Sequence, residues 1–141
     1  MTSRIHAFTL LELVIALAIA ATLAVFAVPA YRSQIARTHR TDAAAALYRA
    51  AQFVENDAGG ERNALPVGLD RAPQFGTALY RLGVLPANAT NGGYTLEAVP
   101  VEDGPMHGDA CGTFVLDATG VRANRSSNPT ALAADECWNT R

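Results

Sequence analysis

The sequence contains no lysine, so arginine supplies all eleven of its basic side chains. Charged residues make up only 17% of the chain, and the formal net charge is −2. A typical nucleic-acid-binding domain carries a clear excess of positive charge, which this composition lacks. Genomic base composition explains the missing lysine more simply than selection for bidentate arginine contacts to phosphate or carboxylate groups.

Catalytic and metal-binding patterns are also missing from the sequence. The stretch 102–109 combines His107 with three acidic residues, but its spacing matches no metal-binding loop. His39 lies between arginines, and no general base accompanies Ser126 or Ser127. No glycine-rich phosphate loop occurs. The sequence therefore predicts no enzyme, no metal site and no cofactor.

Charge is absent from the apolar run 13–30, and Glu12 is the only ionisable side chain between Phe8 and Ala30. As a helix rising about 1.5 Å per residue, this run nearly spans the ~30 Å hydrocarbon core of a bilayer. A secretory signal peptide would have a shorter apolar region, and Pro29 makes the end of this run a poor cleavage site. A plain membrane anchor fits the length but gives no reason for Glu12.

Glu12 needs a partner, because a carboxylate inside an apolar span is costly. If the chain is cut between Ala7 and Phe8, the new α-amino group of Phe8 lies four residues from Glu12, on one face of a helix. The carboxylate can then neutralise this amine or the amine of a neighbouring copy. The second arrangement makes the pair a register device for assembly, since both charges are satisfied only when copies stack correctly.

Residues 7–12 (Ala-Phe-Thr-Leu-Leu-Glu), between a short basic leader and a long apolar run, resemble the N-terminal signal of type IV pilins. The resemblance implies that a prepilin peptidase removes the leader 1–7 by cutting before Phe8, whose new amine is then N-methylated. It also implies that Glu12 serves subunit assembly. The family usually has glycine at the position of Ala7, and alanine is the smallest alternative.

A single helix is predicted over 8–58, with 8–30 in the membrane or the filament core and 31–58 amphipathic. Beyond the apolar run, hydrophobic residues recur at three- and four-residue spacing: Ile35, Ala43, Ala46, Leu47, Ala50, Phe53 and Val54. This stripe is expected to dock a sheet. Gly59-Gly60 is a suitable stop.

Pro29 lies inside the predicted helix, where it removes a backbone donor and clashes with the preceding turn. We therefore expect a kink there. The resemblance implies the same, because pilins carry a helix-loosening proline followed by an aromatic residue, which here is Tyr31.

The segment 59–141 is the predicted globular head. Residues 61–92 are expected to form a loop region, with one short helical turn or strand within 75–85. Period-two alternation and turn residues predict three strands, or four, near 94–99, 111–117 and 121–124. Strands that follow one long helix give an α+β fold, here an antiparallel sheet packed on the helix.

Cys111 and Cys137 are the only cysteines. In the exported part of a chain with a membrane-targeting segment, such a pair predicts a disulfide; the alternative is two reduced thiols in a cytosolic protein. A bridge closing a loop of this length stabilises a small domain by roughly 3–4 kcal/mol.

The C-terminal half resembles minor pilins of proteobacterial type IVa pili, through Tyr94-Thr-Leu, the run 111–120 and Cys137-Trp138. Some members bind DNA during uptake through a basic stripe on the head. The candidate contacts here are Arg122, Arg125 and Arg141, with Asn124 and Trp138 for stacking. Nearby acidic residues dilute this charge, and packing over the disulfide is the favoured interpretation of Trp138.

These features predict a structural subunit of a type IV pilus, of the minor class. The implied partners are prepilin peptidase, other pilin subunits in a helical filament, the inner-membrane assembly platform and, before assembly, membrane lipid. The alternatives are a DNA-binding minor pilin for DNA uptake, a pseudopilin of a type II secretion system, and an anchored domain without a filament role, against which Glu12 argues.

The expected location is the bacterial inner membrane, with one span and the head in the periplasm, and then the extracellular pilus. Arginine counts alone favour the opposite topology, because Arg32, Arg37 and Arg40 follow the span and only Arg4 precedes it. The cysteine pair and the resemblance favour the periplasm.

Overall fold

The computed structural model describes residues 8–57 and 64–139. The predicted leader 1–7 with Ala7, the helix stop Gly59-Gly60 and the candidate DNA contact Arg141 lie outside the described residues. Helix α1 extends from Leu10 to Asn56. The chain divides into two compact units, and the boundary lies between Ile35 and Ala36.

The first unit contains the apolar part of α1. This helix is long and apolar enough to cross a membrane, and its most hydrophobic window buries none of its residues within the chain. The helix assignment is continuous through Pro29. A bend at this residue stays a prediction.

The second unit holds a five-stranded antiparallel sheet in the order β1-β2-β3-β4-β5 and a short second helix, α2. Each strand pairs with the next in the chain, so the sheet is a meander. The bounds are β1 Arg71–Ala72, β2 Tyr80–Leu85, β3 Thr95–Pro100, β4 Thr113–Asp117, β5 Arg122–Arg125 and α2 Ala134–Trp138.

The α+β fold is confirmed, with β3, β4 and β5 close to the three predicted strands. The expectation of three or four strands was too low, because β1 lies in the segment predicted as a loop region. Strand β2 falls within 75–85, where one short helical turn or strand was expected. In β2, buried Tyr80 and Leu82 alternate with exposed Arg81 and Gly83, so the period of two was present. Prolines and glycines around this segment hid the signal.

The hydrophobic core of the head joins the second part of α1 to one face of the sheet. The buried helix residues are Ala43, Ala44, Ala46, Leu47, Ala50 and Val54, and the sheet contributes residues such as Tyr80, Leu96, Ala98, Phe114 and Leu116. Tyr94 donates a hydrogen bond from its hydroxyl to Glu55 Oε1 at 3.0 Å, which ties the sheet to the helix. Ile35 and Phe53, members of the predicted stripe, are more than one-third exposed.

The predicted disulfide between Cys111 and Cys137 is confirmed, and both residues are buried. It connects the start of β4 to α2. A second cross-link lies nearby, where Arg40 of α1 donates two hydrogen bonds to Asp109, at 3.0 and 2.7 Å. Asp109 Oδ2 also accepts from the Cys111 N–H, so helix, loop and disulfide are held together.

Candidate functional site

The first turn of α1 carries Glu12, the residue that the sequence singled out. Its backbone N–H donates to Thr9 Oγ1 at 3.2 Å, and three residues separate the two in the manner of a helix capping box. A carboxylate is also favourable at the positive end of the helix dipole. Thr9 therefore caps the helix through the backbone N–H of Glu12, and the Glu12 carboxylate lies where the helix dipole favours a negative charge.

The apolar side chains of the first unit have no cover within the chain. Phe8 is 82% exposed and Phe26 77% exposed. Leucine, isoleucine and valine side chains from Leu10 to Val28 are about half exposed or more. Contiguous apolar surface of this extent marks a membrane or protein interaction site.

The candidate DNA contacts on β5 do not form one stripe. Arg122 pairs with Leu116, whose side chain is buried on the core face of the sheet, and Arg125 pairs with Thr113 on the outer face. Successive side chains alternate between faces, so residues three apart point to opposite sides. The structure therefore separates Arg122 from Arg125.

The two side chains expected to stack on bases are engaged in the head. Asn124 donates from Nδ2 to the carbonyl oxygens of Cys111 (3.2 Å) and Leu132 (3.1 Å). Trp138 Nε1 donates to Ala123 O at 3.1 Å. The indole also packs edge-on against Phe114 and Tyr48, with ring centroids 5.4 and 6.1 Å apart. Packing is thus the role of Trp138 in the head.

The outer face of the sheet carries a row of arginines that the sequence did not suggest. Register places Arg71 opposite Arg81, Arg81 opposite Val99, and Thr113 opposite Arg125. The side chains of Arg81 and Arg125 are more than 60% exposed. We call Arg71, Arg81 and Arg125 the arginine row. The sequence did not suggest Arg71 and Arg81, because β1 lies in the predicted loop region and the pairing of β1 and β2 with the rest of the sheet was not predicted.

Carboxylates accompany the arginine row. Asp70 contacts Arg71 at 3.1 Å and Arg81 at 4.0 Å. Glu97 forms an ion pair with Arg125. The hydrogen bond from Arg71, with that from the Gly68 N–H, holds the pKa of Asp70 below its usual value. Any anionic ligand on this face must therefore compete with these carboxylates.

Two pockets flank β5. One, of about 300 Å³, is lined by Val99, Thr113 and Arg125 of the outer face and by residues of the loop that precedes β4. The other, of about 200 Å³, lies beside α2 and is lined by Arg122 and Trp138, among others.

Comparison with known families gives two matches. Residues 2–28 match the prokaryotic N-terminal methylation motif, which agrees with the resemblance to prepilin signals. Residues 29–115 match a family described as the type IV minor pilin ComP, DNA uptake sequence receptor. No curated protein matches the chain. The second match spans more than half of the chain, so the protein belongs to this family of type IV minor pilins and is a minor structural subunit of a type IV pilus.

Proposed function

We propose that this minor pilin is stored in the bacterial inner membrane through residues 8–30, with its head in the periplasm. Prepilin peptidase cuts between Ala7 and Phe8, and the Phe8 amine is methylated. The inner-membrane assembly platform then moves the subunit from lipid into the filament. The uncovered apolar surface of the first unit supports this proposal, because lipid or neighbouring helices must cover it. The role is structural and binding, not catalytic.

In the filament, we propose that Glu12 neutralises the Phe8 amine of its own or a neighbouring chain. Glu12→Gln tests this, because glutamine also serves at this position of a capping box and removes only the charge. Thr9→Ala is the matched control, since it removes the cap and keeps the charge. We expect E12Q to insert normally into membranes and to be depleted from sheared pili, whereas T9A enters pili. Normal incorporation of E12Q would refute the charge pairing.

The second element of the proposal is that the head binds double-stranded DNA through the arginine row. The observation that supports it is the alignment of Arg71, Arg81 and Arg125 on one face of the sheet, in a chain whose family is described as a DNA uptake sequence receptor. Adjacent strands lie about 4.8 Å apart, so the Cα atoms of Arg81 and Arg125, three strands apart, are separated by about 14 Å. This is close to the major-groove width of about 12 Å, so the two side chains can reach phosphates on both sides of one groove.

The electrostatics predict moderate, salt-sensitive binding. Residues 36–141 contain nine arginines and twelve acidic residues, so attraction to DNA is local to the row and not a property of the whole head. Three arginine–phosphate contacts predict a slope of about −2.7 in a plot of log affinity against log salt, at about −0.9 for each contact. Because Glu97 holds Arg125, part of the binding free energy goes into exchanging a carboxylate for a phosphate.

The test is fluorescence anisotropy with a labelled duplex and the full chain in detergent. Arg81→Ala and Arg125→Ala should each weaken binding at low salt and make the salt slope smaller by about one contact. Arg122→Ala is the matched control, because it removes an exposed arginine from the same strand but the opposite face. Glu97→Gln should strengthen binding by freeing Arg125.

Three results would count against the arginine row. The first is no binding to any duplex at low salt. The second is equal loss of affinity in R122A and R125A, which would indicate general charge. The third is a loss confined to R122A, which would move the interface to the pocket beside α2.

A further inference from the structure

The pocket of about 200 Å³ beside α2 takes its lining from one strand and one short helix. Arg122 comes from β5 and lies on the opposite face of the sheet from the arginine row. Asp135, Trp138 and Asn139 come from α2 and the residue after it, at a spacing of three and four that places them on one face of a helical turn. The small side chain of Ala134 lies beside them. The sequence of α2 thus brings a carboxylate, an indole and an amide to one cavity.

The walls of this pocket are fixed by contacts with the rest of the head. The disulfide of buried Cys137 ties α2 to the start of β4. Trp138 donates from Nε1 to Ala123 O of β5 at 3.1 Å. The Asn139 N–H donates to Asp135 O at 3.0 Å, which closes the last turn of α2. Packing leaves part of the indole uncovered, because Trp138 is partly exposed and lines the pocket. A ligand would meet an ordered surface, so little conformational entropy is lost on binding.

The charged and polar side chains of the pocket are not engaged by the head. Arg122, Asp135 and Asn139 are exposed, and none makes a side-chain hydrogen bond or ion pair with another residue of 8–57 or 64–139. Arg122 and Asp135 carry opposite charges and line the same cavity, yet they form no ion pair with each other. Their donors and acceptors are therefore available to a ligand that lies between them.

We propose that this pocket binds a neutral sugar residue of a surface polysaccharide. A hexose carries hydroxyl groups around its edge, which both donate and accept hydrogen bonds, and apolar C–H groups on the faces of its ring. Asp135 accepts from hydroxyl groups, Arg122 donates to them, and the amide of Asn139 does both. The indole of Trp138 offers an apolar surface to the C–H face of the sugar. The inference is independent of the proposed DNA binding, because it uses neither the arginine row nor the outer face of the sheet.

The charge balance of the pocket favours a neutral ligand over an ionic one. Its lining combines the positive charge of Arg122 with the negative charge of Asp135, and exposed Glu136 follows Asp135 on α2. A phosphate group would be attracted by the arginine and repelled by both carboxylates. An apolar ligand would remove water from the two charges without giving them partners, which is costly. A sugar provides hydrogen-bond partners for both charges and adds no charge of its own.

The experiment uses the fluorescence of Trp138, which is the single tryptophan of the chain and lines the pocket. The full chain, in a detergent without a sugar headgroup, is titrated with glucose, galactose, mannose, N-acetylglucosamine and N-acetylgalactosamine, and with β-linked disaccharides of each. At least one sugar should shift the emission, with the millimolar affinity expected for a small ligand in an open pocket. Saturation-transfer NMR should place the C–H protons of one sugar face against an aromatic ring. Phosphate and glycine betaine are the ionic and zwitterionic probes, and neither should shift the emission.

Two pairs of matched variants test the residues of the pocket. Arg122→Ala should weaken sugar binding by about tenfold or more, because hydrogen bonds from a charged group are lost. Its control is R125A, which removes an exposed arginine from the opposite face of the same strand. Asp135→Asn should weaken binding by about five- to tenfold, and its control is Glu136→Gln, on the same helix but outside the lining. All four positions are exposed, so an unchanged urea midpoint of unfolding separates loss of binding from loss of folding.

The inference is overturned by any of three results. The first is a folded native chain whose fluorescence and NMR spectra respond to none of the sugars. The second is sugar binding that R122A and D135N both retain in full. The third is a response to phosphate or to glycine betaine that exceeds the response to every sugar, which would make the pocket a site for charged ligands. Loss of duplex binding in R125A, with sugar binding intact, would show that the pocket acts separately from the arginine row.

Discussion

The two parts of helix α1 use similar residues for different purposes. Before residue 36, leucine, isoleucine and valine side chains are exposed, as with Leu17 at 61%. After it, alanine and leucine pack on the sheet, and Leu47 is fully buried. The difference shows that helix periodicity alone does not decide burial. The second part is stabilised by its own chain, whereas the first part depends on lipid or on other subunits for cover.

The sharpest test of this comparison is one substitution made in both parts of the helix. Leu47→Ala leaves a cavity against the sheet and should destabilise the head by about 2–5 kcal/mol. Leu17→Ala changes the same atoms on an exposed surface and should alter head stability by less than about 0.5 kcal/mol. The measurement is urea unfolding in detergent, followed by the fluorescence of Trp138, the single tryptophan, which packs in the head.

The paired variants also separate stability from assembly. L17A should lower the amount of subunit in sheared pili although its head unfolds normally. If L17A and L47A destabilised the head equally, the division between an uncovered and a self-covered part of α1 would be wrong.

Removal of the disulfide should give the next largest effect. Replacing Cys111 and Cys137 with serine opens a loop of 26-residue separation, which corresponds to roughly 3–4 kcal/mol of head stability. Retention in the membrane should not change, because the apolar run 13–30 lies far from the bridge in sequence. Urea unfolding with and without reductant measures the loss of head stability, and carbonate extraction of membranes measures retention. Loss of membrane retention on reduction would contradict the independence of the two parts.

Much of the architecture followed from local signals in the sequence. The apolar run, the position of Glu12 and the paired cysteines each carry a strong physical constraint, so the helix and the disulfide were predicted. The opposite orientation of Arg122 and Arg125 was also available, since their odd separation in a strand places them on different faces.

The arginine row could not have been predicted in the same way. Its members come from β1, β2 and β5, and only the strand register brings them into line. The register of β1 with β2 depends on the loop 73–79, whose sequence gives no standard two-residue hairpin turn. The shape of the pocket on the outer face depends in turn on the loop after β3. Asp109 fixes this loop by accepting a hydrogen bond from Arg40, which lies 69 residues away in the chain.

Substitution of Asn91 should have a smaller effect on the stability of the head. Asn91 is the one buried polar side chain identified in the described part of the head. Its Oδ1 accepts from the N–H groups of Asn88 and Gly93, and its Nδ2 donates to Pro86 O and Thr95 Oγ1. Asn91→Ala leaves these groups without partners and should destabilise the head by about 2 kcal/mol. Exposed Asn139 provides the control substitution. If N91A had the same urea midpoint of unfolding as the native chain, water would have to replace the hydrogen bonds of the amide.

The smallest predicted effect is a dependence of head stability on pH. Hydrogen bonding from Thr119, through its hydroxyl at 2.6 Å and its N–H at 2.9 Å, holds the pKa of Asp117 below the usual value, aided by the Val121 N–H. A carboxyl whose pKa is lower in the folded chain stabilises the fold above its unfolded pKa of about 3.9 and loses this contribution as the pH falls through the folded value.

Asp117→Asn should therefore lower the urea midpoint of the head slightly at pH 7 and have progressively less effect below about pH 4. Asp70, whose pKa is lowered by Arg71, should behave in the same way in D70N. The apolar run 13–30 contains no titratable side chain, so these substitutions should not alter membrane retention at either pH. A difference between D117N and the native chain that stays constant from about pH 7 to about pH 2.5 would mean that the substitution removes packing, not charge. In that case the charge of Asp117 would make no contribution to the acid sensitivity of the head.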